Sequence, residues 1–98
     1  MHARVTSTQG PAEAGDDAQT VLREKILPQA RQIAGFKGVL SLENREAGKA
    51  LHITLWESEE AMQASEAAAD TLRDQAVSAI EGSELKSVER YEVMIDER

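Results

Sequence analysis

Two neighbouring stretches in the middle of the chain decide the fold: Gly35-Phe36-Lys37-Gly38-Val39-Leu40-Ser41-Leu42 and Leu51-His52-Ile53-Thr54-Leu55-Trp56. Both are rich in strand-forming residues, and the second alternates so that His52, Thr54 and Trp56 share one face. Gly48, in the segment between them, can adopt the positive φ that a tight turn requires. The pattern therefore predicts a β-hairpin with strands over residues 36–44 and 50–56 and a loop over residues 45–49.

A strand and a helix are predicted before this hairpin. Residues 2–8 alternate and include β-branched side chains, which is typical of a strand. Apolar residues at helical spacing then predict a helix of about 19 residues, with Asp16 as its N-cap and Gly35 at its end. Pro28 lies inside this helix and has no N–H to donate to the carbonyl of Glu24, so we expect a kink near Lys25.

A second helix and a last strand are predicted after the hairpin. Ser58 is a typical N-cap, Gly82 a typical helix end, and the residues between them are rich in alanine. Residues 85–95 contain the last strand, strongest over residues 88–95, and residues 96–98 form a frayed tail. The order β-α-β-β-α-β in a single domain, residues 1–98, predicts an α+β, ferredoxin-like fold. This fold is a four-stranded antiparallel sheet with two helices on one face.

The side chains of the predicted sheet indicate how the chain assembles. Neither face of the strands is cleanly polar, as the opposite placements of Trp56 and Leu55 illustrate, so we expect both faces to be covered. The helices cover one face, and the sheet of a second copy covers the other. We therefore predict a homodimer that forms a dimeric α+β barrel.

Composition excludes several classes of partner and chemistry. A formal charge of −7 disfavours nucleic acid and anionic membrane surfaces as partners, although the acidic surface also serves solubility. The absence of cysteine excludes disulfides and thiolate metal sites and fits a cytoplasmic location. The sequence shows no signal peptide, no membrane-spanning apolar run and no motif typical of a metal site.

Three parts of the sequence resemble the antibiotic biosynthesis monooxygenase-like dimeric α/β barrels. They are Pro28, Gly35-Phe36-Lys37-Gly38 after the first helix, and Leu55-Trp56-Glu57-Ser58-Glu59-Glu60-Ala61-Met62. The resemblance covers nearly the whole chain and implies the dimeric barrel fold. It does not identify the reaction, because this superfamily includes cofactor-free oxygenases, haem degraders and isomerases.

The two best-defined branches imply different site residues. The haem-degrading branch implies a histidine on the second helix, near Glu66, and an asparagine on the first strand. This chain has neither, so we expect no haem degradation. The cofactor-free oxygenase branch implies an asparagine four residues before Trp56, where this chain has His52, and an assisting arginine, for which Arg73 or Arg4 is available.

These residues define the predicted site. His52 and Arg73 are the catalytic candidates, and His52 is alternatively a structural side chain under a helix or at the subunit seam. Trp56, Phe36 and Met62 are expected to border a ligand cavity beneath the alanine-rich helix, with Trp56 alternatively a core anchor. Tyr91 contacts either substrate or the second subunit.

The resulting functional hypothesis has two forms. In the first, the protein binds a planar apolar molecule and oxidises it with O2, with no cofactor and no metal. In the second, it is a non-catalytic ligand-binding or assembly module.

Overall fold

The computed structural model describes all 98 residues. Four strands form one antiparallel sheet: β1 (His2–Gln9), β2 (Phe36–Asn44), β3 (Lys49–Trp56) and β4 (Glu84–Glu92). Their order across the sheet is β2-β3-β1-β4. Helical segments connect β1 to β2 and β3 to β4, so the predicted α+β, ferredoxin-like arrangement is confirmed. The bounds of β2 are those predicted, and β1 and β3 are each one residue longer.

The register of the sheet assigns every strand residue to one of two faces. Ser41 pairs with His52, and Thr54 pairs with both Val39 and Arg4, which places these residues on the face beneath the helices, here called the inner face. Alternate residues point to the opposite, outer face, including Leu40, Leu42, Leu51, Ile53 and Tyr91.

The first helical segment is less regular than its sequence pattern predicts. It runs as a 3₁₀ turn, α1 (Gly15–Val21), a π-helical turn (Leu22–Ile26) and α2 (Leu27–Ala30). The π-helical turn lies where the kink was predicted. It is closed by the bond from the Leu27 N–H to the Leu22 carbonyl. A π turn changes the spacing of backbone bonds just before Pro28, which cannot donate one.

Both predicted ends of this segment are wrong. The N-cap is Ala14, with no side-chain hydrogen bond, and Asp16 lies within the first turn. The Asp16 carboxylate instead accepts a hydrogen bond of 2.6 Å from Arg45 Nη2. The α-helix ends at Ala30, and turn structure leads to Gly35, which does adopt a positive φ of 83°.

The second helix begins as predicted but is interrupted. The Ser58 side chain accepts a hydrogen bond from the Ala61 N–H, which confirms the N-cap. Two helices follow, α3 (Glu59–Ala64) and α4 (Glu66–Ser78), separated at the buried Ser65. At this break the carbonyl of Met62 accepts side-chain hydrogen bonds from Arg4 and Ser65. A tertiary contact, rather than a helix-breaking residue, therefore marks the interruption.

The last strand is displaced toward the N-terminus relative to its prediction. It ends at Glu92, whereas its strongest part was expected over residues 88–95. Glu92 pairs with His2, the first residue of β1, and Val93 makes one more bond to the carbonyl of Met1. β1 begins at His2, and residues 94–95 lie beyond this ladder despite their strand-like sequence.

Candidate functional site

A cavity of about 410 Å³ lies between the inner face of the sheet and the helices. Pockets for small molecules typically measure ~300–1,000 Å³. The sheet contributes a largely polar floor formed by Arg4, Thr6, Thr8, Val39, Ser41, Glu43, His52, Thr54 and Trp56. The helical side contributes a largely aliphatic roof that includes Ile26, Leu27, Ala30, Ile33, Leu72, Ala76, Val77 and Ile80.

Trp56 forms a fixed aromatic wall of this cavity. Its side chain is 2% exposed, and its indole Nε1 donates a hydrogen bond of 2.9 Å to Thr54 Oγ1. The Phe36 ring meets it edge-on, with centroids 5.6 Å apart and planes at 75°. The Arg4 guanidinium carbon lies 5.2 Å from the indole centroid, within cation–π range. The indole is thus held by three different neighbours.

Arg4 is a buried cation at the edge of the same cavity. It is 2% exposed and donates from Nη2 to the Met62 carbonyl, to Ser65 Oγ and to a Glu66 carboxylate oxygen, over 2.8–2.9 Å. Its Nε is fully buried and has no hydrogen-bond partner. Arg4 therefore ties β1 to the break between α3 and α4 while some of its donors remain unused.

Glu66 is the carboxylate that two arginines share. Arg90, which pairs with Arg4 across β1 and β4, donates to it over 2.6 Å and 3.0 Å. The hydrogen bonds from Arg90 and then from Arg4 lower the pKa of Glu66 to about 2. Glu66 is consequently ionised at any pH at which the protein would be studied.

Arg73 adds a further cation to the cavity wall. It lies on α4, two helical turns after Glu66, and its side chain is 13% exposed. Asp70, its ion-pair partner, is 67% exposed. Burial lowers the pKa of Arg73, and the positive charge of Arg4 acts in the same direction. Arg73 and Arg4 thus influence each other as like charges.

His52 is the titratable group on the central part of the floor. Its Nδ1 lies 3.0 Å from Ser41 Oγ. Burial lowers the pKa of His52, although the nearby Glu43 carboxylate acts in the opposite direction. The neutral imidazole is therefore favoured near pH 7. In the tautomer that donates from Nδ1 to Ser41, Nε2 is left as a proton acceptor.

The structure brings together some of the residues predicted for the site and separates others. His52, Trp56 and Arg73 line the cavity, whereas Phe36, Met62 and Tyr91 do not. Phe36 reaches the site only through its contact with Trp56, and Met62 is buried within α3. Tyr91 is 49% exposed on the outer face. The predicted border of the cavity is corrected accordingly.

Sequence reasoning missed most of the polar floor and the contribution of the first helical segment. Thr54 was visible as a neighbour of His52 and Trp56 by strand alternation. The position of Arg4 opposite Thr54 depends on the pairing of β1 with β3, which no local pattern specifies. The arrangement as a whole can pack against a planar ring, accept a proton at His52 and stabilise negative charge at Arg4 and Arg73.

Comparison with known sequences gives distant relatives. No family model matches the chain. Two uncharacterized proteins of Mycobacterium tuberculosis, Rv2557 and Rv2558, are each 29% identical to it, over 93 and 95 residues. The matches cover 95% and 97% of this chain but only 41% and 39% of those proteins. The chain therefore spans about two-fifths of the length of the curated relatives it matches.

Comparison with solved structures is more decisive for the fold. The haem degrader MhuD of M. tuberculosis, solved with two haems in its active site, superposes with a TM-score of 0.72 at 22% identity, covering 100% of both chains. A proposed antibiotic biosynthesis monooxygenase of Bordetella bronchiseptica gives 0.73 at 14% identity, covering 96% of this chain and 97% of its own. SnoaB, a cofactor-independent oxygenase of Streptomyces nogalater, gives 0.68 at 15% identity, covering 97% and 95%.

The chain has the fold of the antibiotic biosynthesis monooxygenases. This confirms the resemblance noted in the sequence at the level of the fold. The same fold serves haem degradation in one neighbour and cofactor-independent oxygenation in another, so it does not by itself select a reaction. In addition, none of the helices is both long and apolar enough to cross a membrane.

Proposed function

We propose that the cavity binds a planar, largely apolar small molecule that packs against Trp56. The observation that carries this proposal is a buried indole, fixed by Thr54, Phe36 and Arg4, in the wall of a 410 Å³ cavity with an aliphatic roof. A flat ring system can contact the indole with one of its faces and the aliphatic side chains with the other. This arrangement of the cavity walls therefore favours a planar ligand.

The neutral imidazole of His52 favours an oxygenase activity in this cavity. His52 accepts a proton from an acidic CH2 group of the bound molecule, and Arg73 stabilises the resulting carbanion. The carbanion supplies the electrons that reduce O2, forms a C–O bond and gives a hydroperoxide after protonation. Loss of water then yields a ketone. One oxygen atom enters the product and the other leaves as water, so the substrate itself is the reductant.

Haem is a competing planar ligand, since one structural neighbour holds it in the same fold. The residues of this chain fit haem ligation from the second helix poorly. Glu66, near the position where the haem-degrading branch implies a histidine, is held by Arg4 and Arg90. A Soret shift on adding haemin that is lost in His52→Ala would replace the oxygenase proposal with haem binding through His52.

The outer face supports a second proposal, that two copies pair through their sheets. Leu40, Leu42, Leu51 and Tyr91 are 43%, 49%, 40% and 49% exposed on this one face. Several exposed large apolar side chains on one face of a sheet are typical of an interaction site. Because all four residues lie on the same face, a twofold axis would bring identical apolar surfaces together.

The test combines ligand binding with oxygen consumption. Trp56 is the only tryptophan, so quenching of its fluorescence by anthrones and hydroquinones reports occupancy of the cavity. Oxygen uptake is then measured with the same compounds for the wild type, Trp56→Phe and His52→Gln. His2→Gln is the matched control, because it changes the other histidine, which lies outside the cavity beside Glu59.

Each outcome has one interpretation. Oxygen uptake that is lost in His52→Gln and kept in His2→Gln supports the oxygenase. Quenching without oxygen uptake leaves a non-catalytic binding module and removes the oxygenase. An absence of quenching with every planar compound contradicts the binding proposal itself.

A further inference from the structure

We infer that the planar ligand carries one anionic oxygen group, a carboxylate or an ionised phenol, which binds between Arg4 and Arg73. This inference rests on the proposed function, since it specifies the chemistry of the molecule that the same cavity takes. Three observations support it: the charge of the cavity lining, the incomplete hydrogen bonding of Arg4, and the position of Arg4 beside Trp56.

The local charge balance is the reverse of that of the whole chain. The protein has a formal charge of −7, yet three guanidinium groups meet beside this cavity. Arg4 and Arg90 share the single carboxylate of Glu66, and Arg73 is paired with Asp70. Among the residues that line the cavity itself, three are arginines, Arg4, Arg23 and Arg73, and one, Glu43, is a carboxylate. An anionic group on a ligand would therefore meet a lining with more positive than negative groups.

The hydrogen bonds of Arg4 are correspondingly incomplete. All of its side-chain hydrogen bonds leave from Nη2, and the fully buried Nε has no partner. A guanidinium that is 98% buried is normally fully paired, because desolvated donors are costly to leave unsatisfied. An oxygen anion in the cavity would supply an acceptor for Nη1, which makes none of these bonds, and charge-assisted bonds of this kind are the strongest that arginine forms.

The surroundings of Arg73 agree with this assignment. Its side chain is mostly buried in the cavity wall, whereas its partner Asp70 is mostly exposed. Burial and the like charge of Arg4 both disfavour its charged form. An anion placed between the two arginines would relieve that repulsion.

The position of Trp56 relates the anion to the ring of the ligand. Arg4 lies over the indole, so a group bound to Arg4 is next to the aromatic wall. The remaining part of the molecule then faces the aliphatic roof, where Leu72 and Val77 belong to the same helix as Arg73. A planar aromatic acid, charged at one end and apolar elsewhere, matches this distribution.

The test compares two ligands of the same shape and different charge. Anthracene carboxylate and its neutral carboxamide are titrated against the wild type, and quenching of Trp56 gives both dissociation constants. We expect the carboxylate to bind about tenfold more tightly or better. Arg73→Gln should remove most of this preference. Arg31→Gln, which removes an exposed arginine outside the cavity and changes the net charge equally, should retain it.

A second variant protects the test against misfolding. Arg4→Lys keeps the charge but lacks the planar fork, and it should reduce the preference for the carboxylate if circular dichroism shows a native fold. If Arg4→Lys does not fold, the loss or retention of the preference in Arg73→Gln tests the inference by itself. Equal affinity of the two ligands, or a preference that survives Arg73→Gln, overturns the inference while leaving the proposed function intact. Failure of both ligands to quench Trp56 counts against the proposed function instead.

Discussion

The polarity of the two sheet faces is the reverse of that in most single-sheet domains. The inner face, beneath the helices, carries Arg4, Ser41, His52 and Thr54, whereas the outer face carries Leu40, Leu42, Leu51 and Ile53. Helices usually cover the apolar face of a sheet. Here they cover a polar floor and leave the leucines outside. The space between sheet and helices is therefore left as a cavity, and the leucines of the outer face are exposed.

The distribution of buried residues agrees with this comparison. The buried apolar residues are Ala3, Ile26, Ala30, Leu55, Trp56, Met62 and Ala69. Three of the seven are alanines, so the large side chains that stabilise an isolated subunit are few. Small domains with a limited core commonly gain stability by association. This makes the outer face a candidate for part of the core that a single copy lacks.

Trp56→Ala should have the largest effect, because it removes the main aromatic contact of the inner face. Since the indole is 2% exposed, we expect the free energy of unfolding to fall by about 3–5 kcal/mol. Chemical denaturation followed by circular dichroism measures this. Ile95→Ala, at a side chain that is 84% exposed, is the control and should change stability by less than about 0.5 kcal/mol. A loss below about 1 kcal/mol for Trp56→Ala would mean that the inner face is open to solvent.

The second prediction concerns the outer face. Leu42→Glu combined with Leu51→Glu places two carboxylates at cross-strand neighbours, and a twofold axis would double them. We expect the dimer to be weakened by about 3 kcal/mol or more, which is roughly a hundredfold in the dissociation constant. Sedimentation velocity at micromolar concentration measures the oligomeric state.

A matched control adds the same charge elsewhere. Gln32→Glu combined with Ala68→Glu adds two negative charges at exposed positions outside the sheet, and it should remain dimeric. A wild type that sediments as a monomer, or a control that dissociates equally, would break the proposed role of the outer face.

The third prediction tests the link between the inner face and the second helix. Ser65→Ala removes the hydroxyl that accepts from Arg4 and donates to the Met62 carbonyl over 2.6 Å. We expect a loss of about 1–2 kcal/mol in the free energy of unfolding, because a buried donor of Arg4 loses an acceptor. Ser78→Ala, at the exposed end of α4, is the comparison and should be close to neutral. Equal effects of the two substitutions would show that Arg4 does not depend on Ser65.

Local sequence patterns predicted most elements because their causes are local. Alternation gave β2, and a serine before two glutamates gave the start of α3. The errors have tertiary causes. The strand β4 ends opposite the residue where β1 begins, and the second helix is interrupted where Arg4 reaches its backbone. A pattern confined to one segment contains neither piece of information.

The site residues that were predicted correctly likewise depend on local pattern, and those predicted wrongly depend on tertiary contacts. His52 and Trp56 were assigned to one face by strand alternation, and that assignment is confirmed by the cavity they share. Phe36 was placed beside the ligand, but a register shift between Phe36 and Gly38 leaves it at the edge of Trp56. Which face the helices cover could not be read from the strands, because the apolar face is the one that they leave exposed.

The last prediction, with the smallest expected effect, concerns the protonation of the inner face. Burial lowers the pKa of His52 below the ordinary value of about 6.5, so the unfolded chain binds this proton more readily than the folded one. The contribution of His52 to stability is therefore complete above about pH 6.5 and declines as the pH falls through the folded pKa. Glu66, with a pKa of about 2, titrates well below this window. Denaturation of the wild type and His52→Gln between about pH 5 and pH 8 isolates the effect, since all other groups are common to both proteins. The stability of the wild type relative to His52→Gln should decrease on acidification. An increase would mean that the folded protein stabilises the imidazolium, and the inner face would then lack the neutral base on which the oxygenase proposal depends.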